Sequence, residues 1–317
     1  MGRETRPQGR LIWLVLLCMW ASTAGSRAAR AGSGRIGLAV EFNTHAACAY
    51  VARDKGWFRE KGLHLASYET YKTGLALAAA LARGDIQAAY ICLAPALLCR
   101  GRGIPIKAVL GTHLYGYGLV VQQGIFSVDE LGGRTIGCVR EGSPADLLLH
   151  LMIERYHPES LKVRRMGPLQ LLTAMKTRRL DGAWLPEHYM TMARVAGLSV
   201  LLKSQDLWPG MQGSVLVVKE QLISQRPGAV RALAEVTRDS TAWLNRHPRQ
   251  GAAIMGCVLK IPPEVALESM GNLDYRAGID PRAVQDAVDL MFRLGYLEKR
   301  IDPGLFLYRV ESAEDIQ

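Results

Sequence analysis

The sequence predicts an α/β fold, in which short strands alternate with helices. Between residues 36 and 121 the apolar patterns run strand, helix, strand, helix, strand, helix, strand. Such alternation produces a parallel sheet with helices on its faces. Two further observations support this class. Apolar residues make up 49% of the 317 residues, enough to bury one large core or two smaller ones, and a later stretch of the chain repeats the first pattern.

The first thirty-one residues form a segment of a different kind. A basic stretch at residues 1–10 precedes an apolar run at 11–21, and two candidate cleavage sites that end in Ala24 and Ala31 follow. This is the pattern of a secretory signal peptide, and the apolar run is shorter than the roughly 20 residues that span a bilayer. We therefore predict a signal peptide at residues 1–31 and a mature protein that is periplasmic or secreted.

The cysteines leave two alternatives open. Cys18 has the apolar lead-in of a lipobox, which would give a lipid anchor, although Leu17 stands where that motif has a small residue. The mature chain keeps an odd number of cysteines without a Cys-x-x-Cys pair, so a disulfide framework does not hold the fold. Cys92 and Cys99 flank a short helical segment, where they either form a disulfide or, as we expect, remain small buried thiols.

The charge of the mature chain says little about its partner. Removal of residues 1–31 takes away five of the 39 basic and one of the 29 acidic residues, which leaves a net charge of +6. A mild positive charge favours an anionic ligand only weakly. The chain has no Lys/Arg run with interleaved aromatic residues, so we expect no nucleic-acid partner.

The strands and helices of the first lobe follow from apolar periodicity and turn residues. Gly62 stands after the first helix, where a left-handed residue ends a helix at least cost. An extended segment at 118–123 is the predicted first crossing into a second lobe. The predicted strands are 35–41, 64–68, 88–92 and 106–112, and the predicted helices are 46–60 and 74–82.

The second lobe repeats this arrangement before the chain returns. Residues 174–184 match residues 80–90 in residue class without a gap, 94 positions later, and each stretch is a helix end, a polar turn and a strand start. Prolines stand in the first turn of several helices, where a missing amide donor is tolerated. The predicted strands are 135–139, 162–166, 182–185, 198–203 and 215–218, and the predicted helices are one that begins at Pro144 and then 227–246, 248–258, 263–270 and 281–297.

We therefore predict two lobes joined by two crossings. Lobe 1 consists of residues 32–121 and 212–317, and its C-terminal helices pack back on its sheet. Lobe 2 consists of residues 122–211. Two crossings of this kind form a hinge.

Motifs of enzymes and of cofactor-binding proteins are missing from the sequence. It has no Gly-x-x-x-x-Gly-Lys-Ser/Thr loop, no Gly-x-Gly-x-x-Gly after a strand, no Gly-x-Ser-x-Gly elbow and no His-Glu-x-x-His. The seven histidines are scattered, and none pairs with another at metal-ligand spacing. We expect no catalytic residues, no cofactor and no metal.

Polar loops at strand ends supply the candidate ligand-binding residues, because open α/β sheets bind ligands beyond the carboxyl ends of their strands. Asn43, Thr44 and Thr73 have an alternative role as helix caps, and His45 has one as a surface residue at a helix start. In the first lobe and at the second crossing, the candidates are Asn43, Thr44, His45, Thr73, Gly74, Ala94, Pro95, Thr112, His113 and Gln212.

In the second lobe, the start of a helix is the candidate anion site. Arg140, Gly142 and Ser143 lead into Pro144 at the first helical position. Free amides and the helix dipole attract anions there, and the arginine adds charge and a fork of donors. The alternative is that Ser143 only caps the helix, with Asp146 in part of the positive field.

The strand that repeats the third strand supplies two further candidates. Trp184, which matches Tyr90 in the repeat, is either a flat wall for a ring or an alkyl chain or an ordinary core tryptophan. Glu187 follows three residues later as an acidic candidate.

The sequence resembles a known family over residues 35–300. A helix that ends in Lys-Gly-Trp-Phe and leads through Lys-Gly-Leu into a strand is similar to the opening of the solute-binding proteins of ABC importers for nitrate, sulfonate, taurine and thiamine-precursor ligands, the NMT1/THI5-like family. This resemblance implies a type II periplasmic-binding-protein fold, whose two lobes close on a ligand. The segments that carry it are 51–63, 81–89, 103–107, 127–137 and 180–183.

The resemblance implies a binding protein rather than an enzyme. The expected ligand is a small anion such as a sulfonate, nitrate, taurine or a carboxylate, or else a heteroaromatic thiamine precursor. The expected partners are an ABC permease in the membrane and, indirectly, a separate ATPase subunit, and we expect a monomer. The family has Glu-Pro before an aromatic residue where this chain has Pro186 and Glu187, so the acidic role does not transfer one for one. An enzyme on the same scaffold, of the pyrimidine-precursor synthase or dehydratase type, and a ligand-binding sensor or adaptor subunit are the open alternatives.

Overall fold

Two five-stranded sheets form the framework of the protein, and helices cover their faces. The computed structural model describes residues 35–310. The predicted signal peptide at residues 1–31, with Cys18, lies outside the described residues. Within the described residues, every helix is too short or too polar to cross a membrane.

Strands and helices alternate along the described chain, as predicted. The strands are β1 (Arg35–Glu41), β2 (His64–Tyr71), β3 (Ala88–Cys92), β4 (Ile106–Gly111), β5 (His113–Tyr115), β6 (Tyr117–Val121), β7 (Thr135–Cys138), β8 (Lys162–Arg165), β9 (Gly182–Pro186), β10 (Ser199–Lys203), β11 (Ser214–Lys219) and β12 (Leu273–Tyr275). The helices are α1 (Ala47–Asp54), α2 (Trp57–Glu60), α3 (Gly74–Arg83), α4 (Leu93–Gly101), α5 (Pro144–Tyr156), α6 (Pro168–Lys176), α7 (Tyr189–Val195), α8 (Ser204–Leu207), α9 (Glu220–Gln225), α10 (Pro227–Arg246), α11 (Pro248–Leu259), α12 (Pro263–Gly271), α13 (Pro281–Arg293) and α14 (Pro303–Phe306).

The first sheet combines four strands of the N-terminal part with one strand that returns from the second sheet. Its order is β2-β1-β3-β11-β4, in which β1 and β3 are parallel and β11 is antiparallel to both of its neighbours. The apolar run of β11 is buried on both faces, which explains why it shows no alternation of polar and apolar residues. The predicted return of the chain at 215–218 is confirmed.

The second sheet has the same topology as the first. Its order is β10-β6-β9-β7-β8, in which β7 is parallel to β8 and β9, and β6 is antiparallel to β9 and β10. Strand β6 therefore stands where β11 stands in the first sheet. Helix α3 and strand β3 begin at Gly74 and Ala88, and α6 and β9 begin at Pro168 and Gly182, which is 94 residues later in both cases. The repeat predicted from the sequence is confirmed in the architecture.

Two connections join the sheets. The first runs from β4 to β6 through β5, and the second runs from β10 to β11 through α8. Gln212 of the second connection forms a β-bridge with Leu114 of the first, so the two connections lie side by side. The chain enters the second sheet at Tyr117, and the lobe limits at residues 121 and 212 remain a prediction.

The C-terminal helices pack on the first sheet, as the sequence predicts. Leu233 of α10 belongs to the same apolar cluster as Leu38 of β1. Met291 of α13 belongs to the same cluster as Leu97 of α4. The second sheet has its own cluster, which contains Trp184. Each sheet is thus built around its own apolar core.

The first predicted helix, at 46–60, is wrong as a single element. A 3₁₀ turn at Thr44–Ala46 precedes α1, and Gly56 separates α1 from α2. Gly56 has a φ of +78°, which an α-helix does not permit, so the chain turns between the two short helices. Gly62 has a φ of +71° and ends α2 in the left-handed conformation that the sequence predicts.

Candidate functional site

The protein has two halves, each consisting of one five-stranded sheet and the helices that pack on it. The strand ends of both halves line one cavity of about 680 Å³. The first half contributes the ends of β1 and β3 and the start of α3, and the second half contributes the ends of β7, β8 and β9 and the starts of α5 and α6. Because the two halves share one topology, these are largely equivalent positions of the repeat. The predicted site residues that line the cavity are Asn43, Thr73, Gly74, Pro95, Arg140 and Ser143.

Glu41, the last residue of β1, contributes a buried carboxylate to the cavity. Its Oε1 accepts a hydrogen bond from the amide of Cys92 at 2.6 Å. Its Oε2 accepts from Nδ2 of Asn43 at 3.1 Å and from Sγ of Cys92 at 3.2 Å. Burial raises the pKa of Glu41, and the hydrogen bonds from Cys92 and Asn43 oppose that shift only in part. All of these donors are neutral, and Glu41 has no salt bridge within residues 35–310.

The first residues of α3 lie directly against the carboxylate of Glu41. Thr73 caps the helix, because its Oγ1 accepts a hydrogen bond from the amide of Ala76 at 3.2 Å. A Cβ atom on Gly74 would lie 2.5 Å from Oε1 of Glu41 and 2.8 Å from Cγ of Pro95. The close approach of the helix to the carboxylate therefore requires glycine at this position. Thr73 caps the helix and lines the cavity at once.

The N-terminus of α5 is occupied by a carboxylate of the protein itself. Ser143 caps the helix, with Oγ accepting from the amide of Asp146 at 3.3 Å. Asp146 is fully buried, accepts from the amide of Gly142 at 3.0 Å and lies 2.5 Å from the guanidinium of Arg165. Asp146 thus lies in the positive field of the helix, as the alternative expects, while Ser143 both caps the helix and lines the cavity. Gly142 donates to Asp146 and lies outside the cavity wall.

Two exposed cations line the cavity. Arg140 follows β7 and Lys72 precedes α3. Within the part of the chain that the structure describes, neither side chain forms an ion pair or a hydrogen bond. Arg165 also lines the cavity, but its guanidinium pairs with Asp146 and donates to the carbonyl of Val139 at 2.9 Å. Arg140 therefore has its N–H donors available for an oxyanion.

Four predicted site residues form a buried network at the connections, outside the cavity wall. Nε2 of His45 lies 3.0 Å from the carbonyl oxygen of Gly116, and the rings of His45 and His113 are 4.5 Å apart. Nε2 of His113 accepts from the amide of Ser214 at 3.1 Å. Burial lowers the pKa of both histidines, that of His113 to about 4, so both rings are neutral at pH 7. The network contains His45, Thr112, His113 and Gln212. Thr44, whose Oγ1 lies 3.0 Å from Oγ of Ser269, and Ala94 are likewise buried outside the cavity wall.

Trp184 and Glu187 also lie inside the protein. Trp184 is a fully buried core residue of the second sheet, which is its predicted alternative role. The carboxylate of Glu187 accepts hydrogen bonds from Oγ1 of Thr191 at 2.8 Å and from Nδ2 of Asn272 at 2.7 Å. Burial raises the pKa of Glu187 to about 7. The cavity wall at this strand end is formed by Pro186 instead.

Cys92 is a nucleophilic side chain at the cavity, close to a histidine. Its Sγ lies 3.9 Å from Nδ1 of His45 and 3.1 Å from Oη of Tyr117. Burial raises the pKa of the Cys92 thiol and lowers that of His45, and both shifts disfavour the thiolate–imidazolium pair that cysteine enzymes use. The five cysteines of the described chain are free, and Cys92 forms no disulfide with Cys99. Within residues 35–310, acidic, cysteine and histidine side chains do not gather into a group that could hold a metal ion.

Sequence reasoning missed part of the cavity wall. The sequence repeat would have identified two of the missed residues. Thr73 and Gly74 correspond in the repeat to Gly167 and Pro168, and both pairs line the cavity. The repeat gives no such indication for Glu41. The missed wall residues include Glu41, Lys72, Cys92, Pro144, Arg165, Met166, Gly167, Pro168, Gln170 and Pro186.

Comparison with known proteins identifies relatives among periplasmic proteins. A family model described as NMT1/THI5 like matches residues 43–251. The taurine-binding periplasmic protein of Escherichia coli (strain K12) is 23% identical over 210 residues, which are 65% of this chain and 65% of that protein. The chain thus matches just under two thirds of that relative's length.

Solved structures of binding proteins resemble the whole described body. The ligand-binding component of an ABC-type import system from Staphylococcus aureus has a TM-score of 0.76 at 21% identity, over 86% of this chain and 96% of that one. The periplasmic aliphatic sulphonate binding protein of Escherichia coli has a TM-score of 0.75 at 14% identity, over 88% and 93%. This likeness shows the two-lobed periplasmic-binding-protein fold that the sequence resemblance implies. Because the family model covers more than half of the sequence, the chain belongs to the NMT1/THI5-like family.

Proposed function

We propose that this protein is the exported solute-binding subunit of an ABC importer and captures a small anionic ligand in the cavity. The observation that supports this best is the cavity of about 680 Å³, whose wall comes from strand ends of both halves and includes the unpaired guanidinium of Arg140. Cavities of roughly 300–1,000 Å³ accommodate small molecules. The two Escherichia coli proteins described above are named for taurine and aliphatic sulphonates, ligands that carry an oxyanion group.

The proposed ligand contacts are the residues of the cavity wall. Arg140 supplies charge-assisted hydrogen bonds to an oxyanion, and Asn43, Thr73 and Ser143 supply neutral polar groups. A heteroaromatic ligand of the thiamine-precursor type is the next class. The ring of Tyr117, which also lines the cavity, offers it a contact surface.

Capture would occur by movement of the two halves toward each other. Each sheet has its own core, and within residues 35–310 the chain passes between the sheets only at the segments 112–116 and 204–213. Rotation about two such crossings brings the two walls of a cleft together. In this proposal, residues 1–31 direct export, and the loaded monomer delivers its ligand to a membrane permease that a separate ATPase drives.

A ligand screen with the purified mature protein tests the proposal. Isothermal titration calorimetry and thermal unfolding are measured with taurine, ethanesulfonate, nitrate, a dicarboxylate and a 4-aminopyrimidine. At least one compound should bind and raise Tm, because a ligand that binds only the native state stabilises it. Absence of binding across all five classes would contradict the proposal. Mass spectrometry of the bound ligand after incubation separates a binding protein from an enzyme, since chemical conversion of the ligand would exclude simple transport.

The role of Arg140 is tested with a matched pair of variants. Arg140→Ala should weaken an anionic ligand by at least tenfold, because a hydrogen bond to a charged group contributes about 1.5–3 kcal/mol. Arg249→Ala removes an exposed arginine from α11, outside the cavity wall, and should leave affinity unchanged. Equal affinities in the two variants would remove Arg140 from the proposed site.

A further inference from the structure

Three carboxylates are buried in the described part of the chain, and their charges are compensated differently. Asp146 lies 2.5 Å from the guanidinium of Arg165. Glu187 is not part of the cavity wall, and burial raises its pKa to about 7. Glu41 differs from both, because it lines the cavity and has no ion-pair partner within residues 35–310. It is the buried acidic group that a ligand can reach.

Within residues 35–310, Glu41 receives hydrogen bonds from neutral groups and forms no ion pair. Its donors are the amide and thiol of Cys92 and the side-chain amide of Asn43. Nearby His45 is held neutral by burial, which lowers its pKa, and Tyr117 is neutral because burial raises its pKa. A carboxylate removed from water is costly unless it is paired or protonated. The missing counter-charge can reach Glu41 from the cavity.

Asn43 and Gly74 hold the carboxylate in place. Asn43 donates to Oε2 of Glu41 through Nδ2, while its Oδ1 accepts from the amide of His45 at 3.1 Å, so both ends of the Asn43 amide are fixed. Gly74 lets the start of α3 approach Oε1 so closely that a Cβ atom would overlap it. The orientation of Glu41 is therefore set by the protein before any ligand arrives, which lowers the cost of binding.

We propose that Glu41 is a subsite for a protonated nitrogen of the ligand, so that the solute is dipolar, with an amine or amidine group at Glu41 and an oxyanion at Arg140. This inference rests on the proposed function, because it assigns a ligand class to the same cavity. The two poles come from different halves, since Glu41 ends β1 and Arg140 follows β7. A dipolar solute such as a small amino-sulfonate or amino acid would contact both halves at once and so couple binding to closure.

The test compares ligands that differ only in the nitrogen. The probes are 2-aminoethanesulfonate, its N-acetyl derivative and ethanesulfonate, titrated by calorimetry into the wild-type protein. We expect 2-aminoethanesulfonate to bind at least tenfold tighter than either of the others. Since the wild type is used throughout, this comparison does not depend on the folding of a variant. Equal or tighter binding of ethanesulfonate would overturn the dipolar class while leaving the proposed function intact.

The role of Glu41 itself is tested with Glu41→Gln and a matched control. Glu41→Gln should bring the affinities for 2-aminoethanesulfonate and ethanesulfonate within threefold of each other, mainly through loss of the first. Glu60→Gln, an exposed change on α2, should keep the wild-type preference. Circular dichroism verifies that both variants are folded. A preference that survives in folded Glu41→Gln would overturn the subsite. Nitrate as the tightest ligand of the wild type would overturn the dipolar class, and binding of no compound would overturn the proposed function as well.

Discussion

The phenol of Tyr296 donates a hydrogen bond to Oδ2 of Asp146 at 2.5 Å and thereby joins the two halves of the protein. Tyr296 follows α13, which packs on α4 of the first half, whereas Asp146 lies in the first turn of α5 in the second half. Asp146 also pairs with Arg165. The bond therefore connects the C-terminal helices to the loop that carries Arg140 and Ser143 at the cavity. Any separation of the halves has to break or move it.

Tyr296→Phe should shift the ligand-free protein toward a more open arrangement. The substitution removes a hydrogen bond to a charged acceptor, which contributes about 1.5–3 kcal/mol, while the ring and its packing remain. We expect a larger radius of gyration in small-angle X-ray scattering without ligand, and weaker ligand binding because fewer molecules are in the competent state. Tyr308→Phe is the control, since the Tyr308 hydroxyl has no hydrogen bond within residues 35–310. Identical scattering from both variants would contradict this prediction.

Arg165→Ala should destabilise the protein, because it removes the guanidinium that pairs with the buried carboxylate of Asp146. The Arg165 side chain is 29% exposed, so we expect a loss of about 2 kcal/mol in the free energy of unfolding, less than for a fully buried pair. Urea denaturation at pH 7 measures it. Arg164 is the neighbour on β8 and points to the other face of the strand. Arg164→Ala should change stability by less than about 0.5 kcal/mol, and an equal loss in both variants would exclude the ion pair as the cause.

Local patterns in the sequence suffice to predict the repeated architecture. The helix end, turn and strand start at residues 80–90 and 174–184 depend on residue classes within one short stretch, and the structure has α3–β3 and α6–β9 at the corresponding positions. The insertion of β11 between β3 and β4 depends on pairing between residues more than 100 positions apart. No local pattern encodes such a partner, so the sequence predicts the strand but not its place in the sheet.

The sequence predicts that the site lies at loops that follow strand ends. It does not predict the direction in which each side chain of those loops points. Asn43 and His45 are two positions apart; Asn43 lines the cavity, whereas His45 contacts Gly116 at the first connection. The difference arises because Asn43 caps the 3₁₀ turn at Thr44–Ala46, whereas His45 lies inside that turn. The sequence does not predict Glu41 as a site residue. Its position in the cavity wall depends on a hydrogen bond from the amide of Cys92, 51 residues away, and on a cavity that exists only in the folded protein.

Gly74→Ala should disturb both the stability and the position of Glu41. The added Cβ would lie 2.5 Å from Oε1 of Glu41 and 2.8 Å from Cγ of Pro95, so the helix or the carboxylate has to move. Overpacking of this kind costs about 1–3 kcal/mol, which urea denaturation measures. Gly228→Ala in α10 meets no atom within 4 Å and should leave stability unchanged or slightly higher. Comparable losses in the two variants would mean that contact with Glu41 and Pro95 is not the cause.

Glu187 should make stability depend on pH. Burial raises its pKa from the ordinary value of 4.5 to about 7 in the folded protein. The folded state therefore holds the Glu187 proton more tightly than the unfolded chain does. This proton binding contributes at most about 3 kcal/mol to the free energy of unfolding. The contribution is complete below pH 4.5 and is lost as the pH rises through 7.

Glu187→Gln removes this titration at nearly constant size. The difference in the free energy of unfolding, variant minus wild type, should therefore increase between pH 5 and pH 8 in urea denaturation. The neighbouring buried His188, whose pKa burial lowers to about 4, titrates in both proteins and largely cancels from the difference. Glu264→Gln, an exposed change on α12, should give a difference that is constant with pH. A constant difference for Glu187→Gln as well would show that this carboxyl titrates normally in the folded protein.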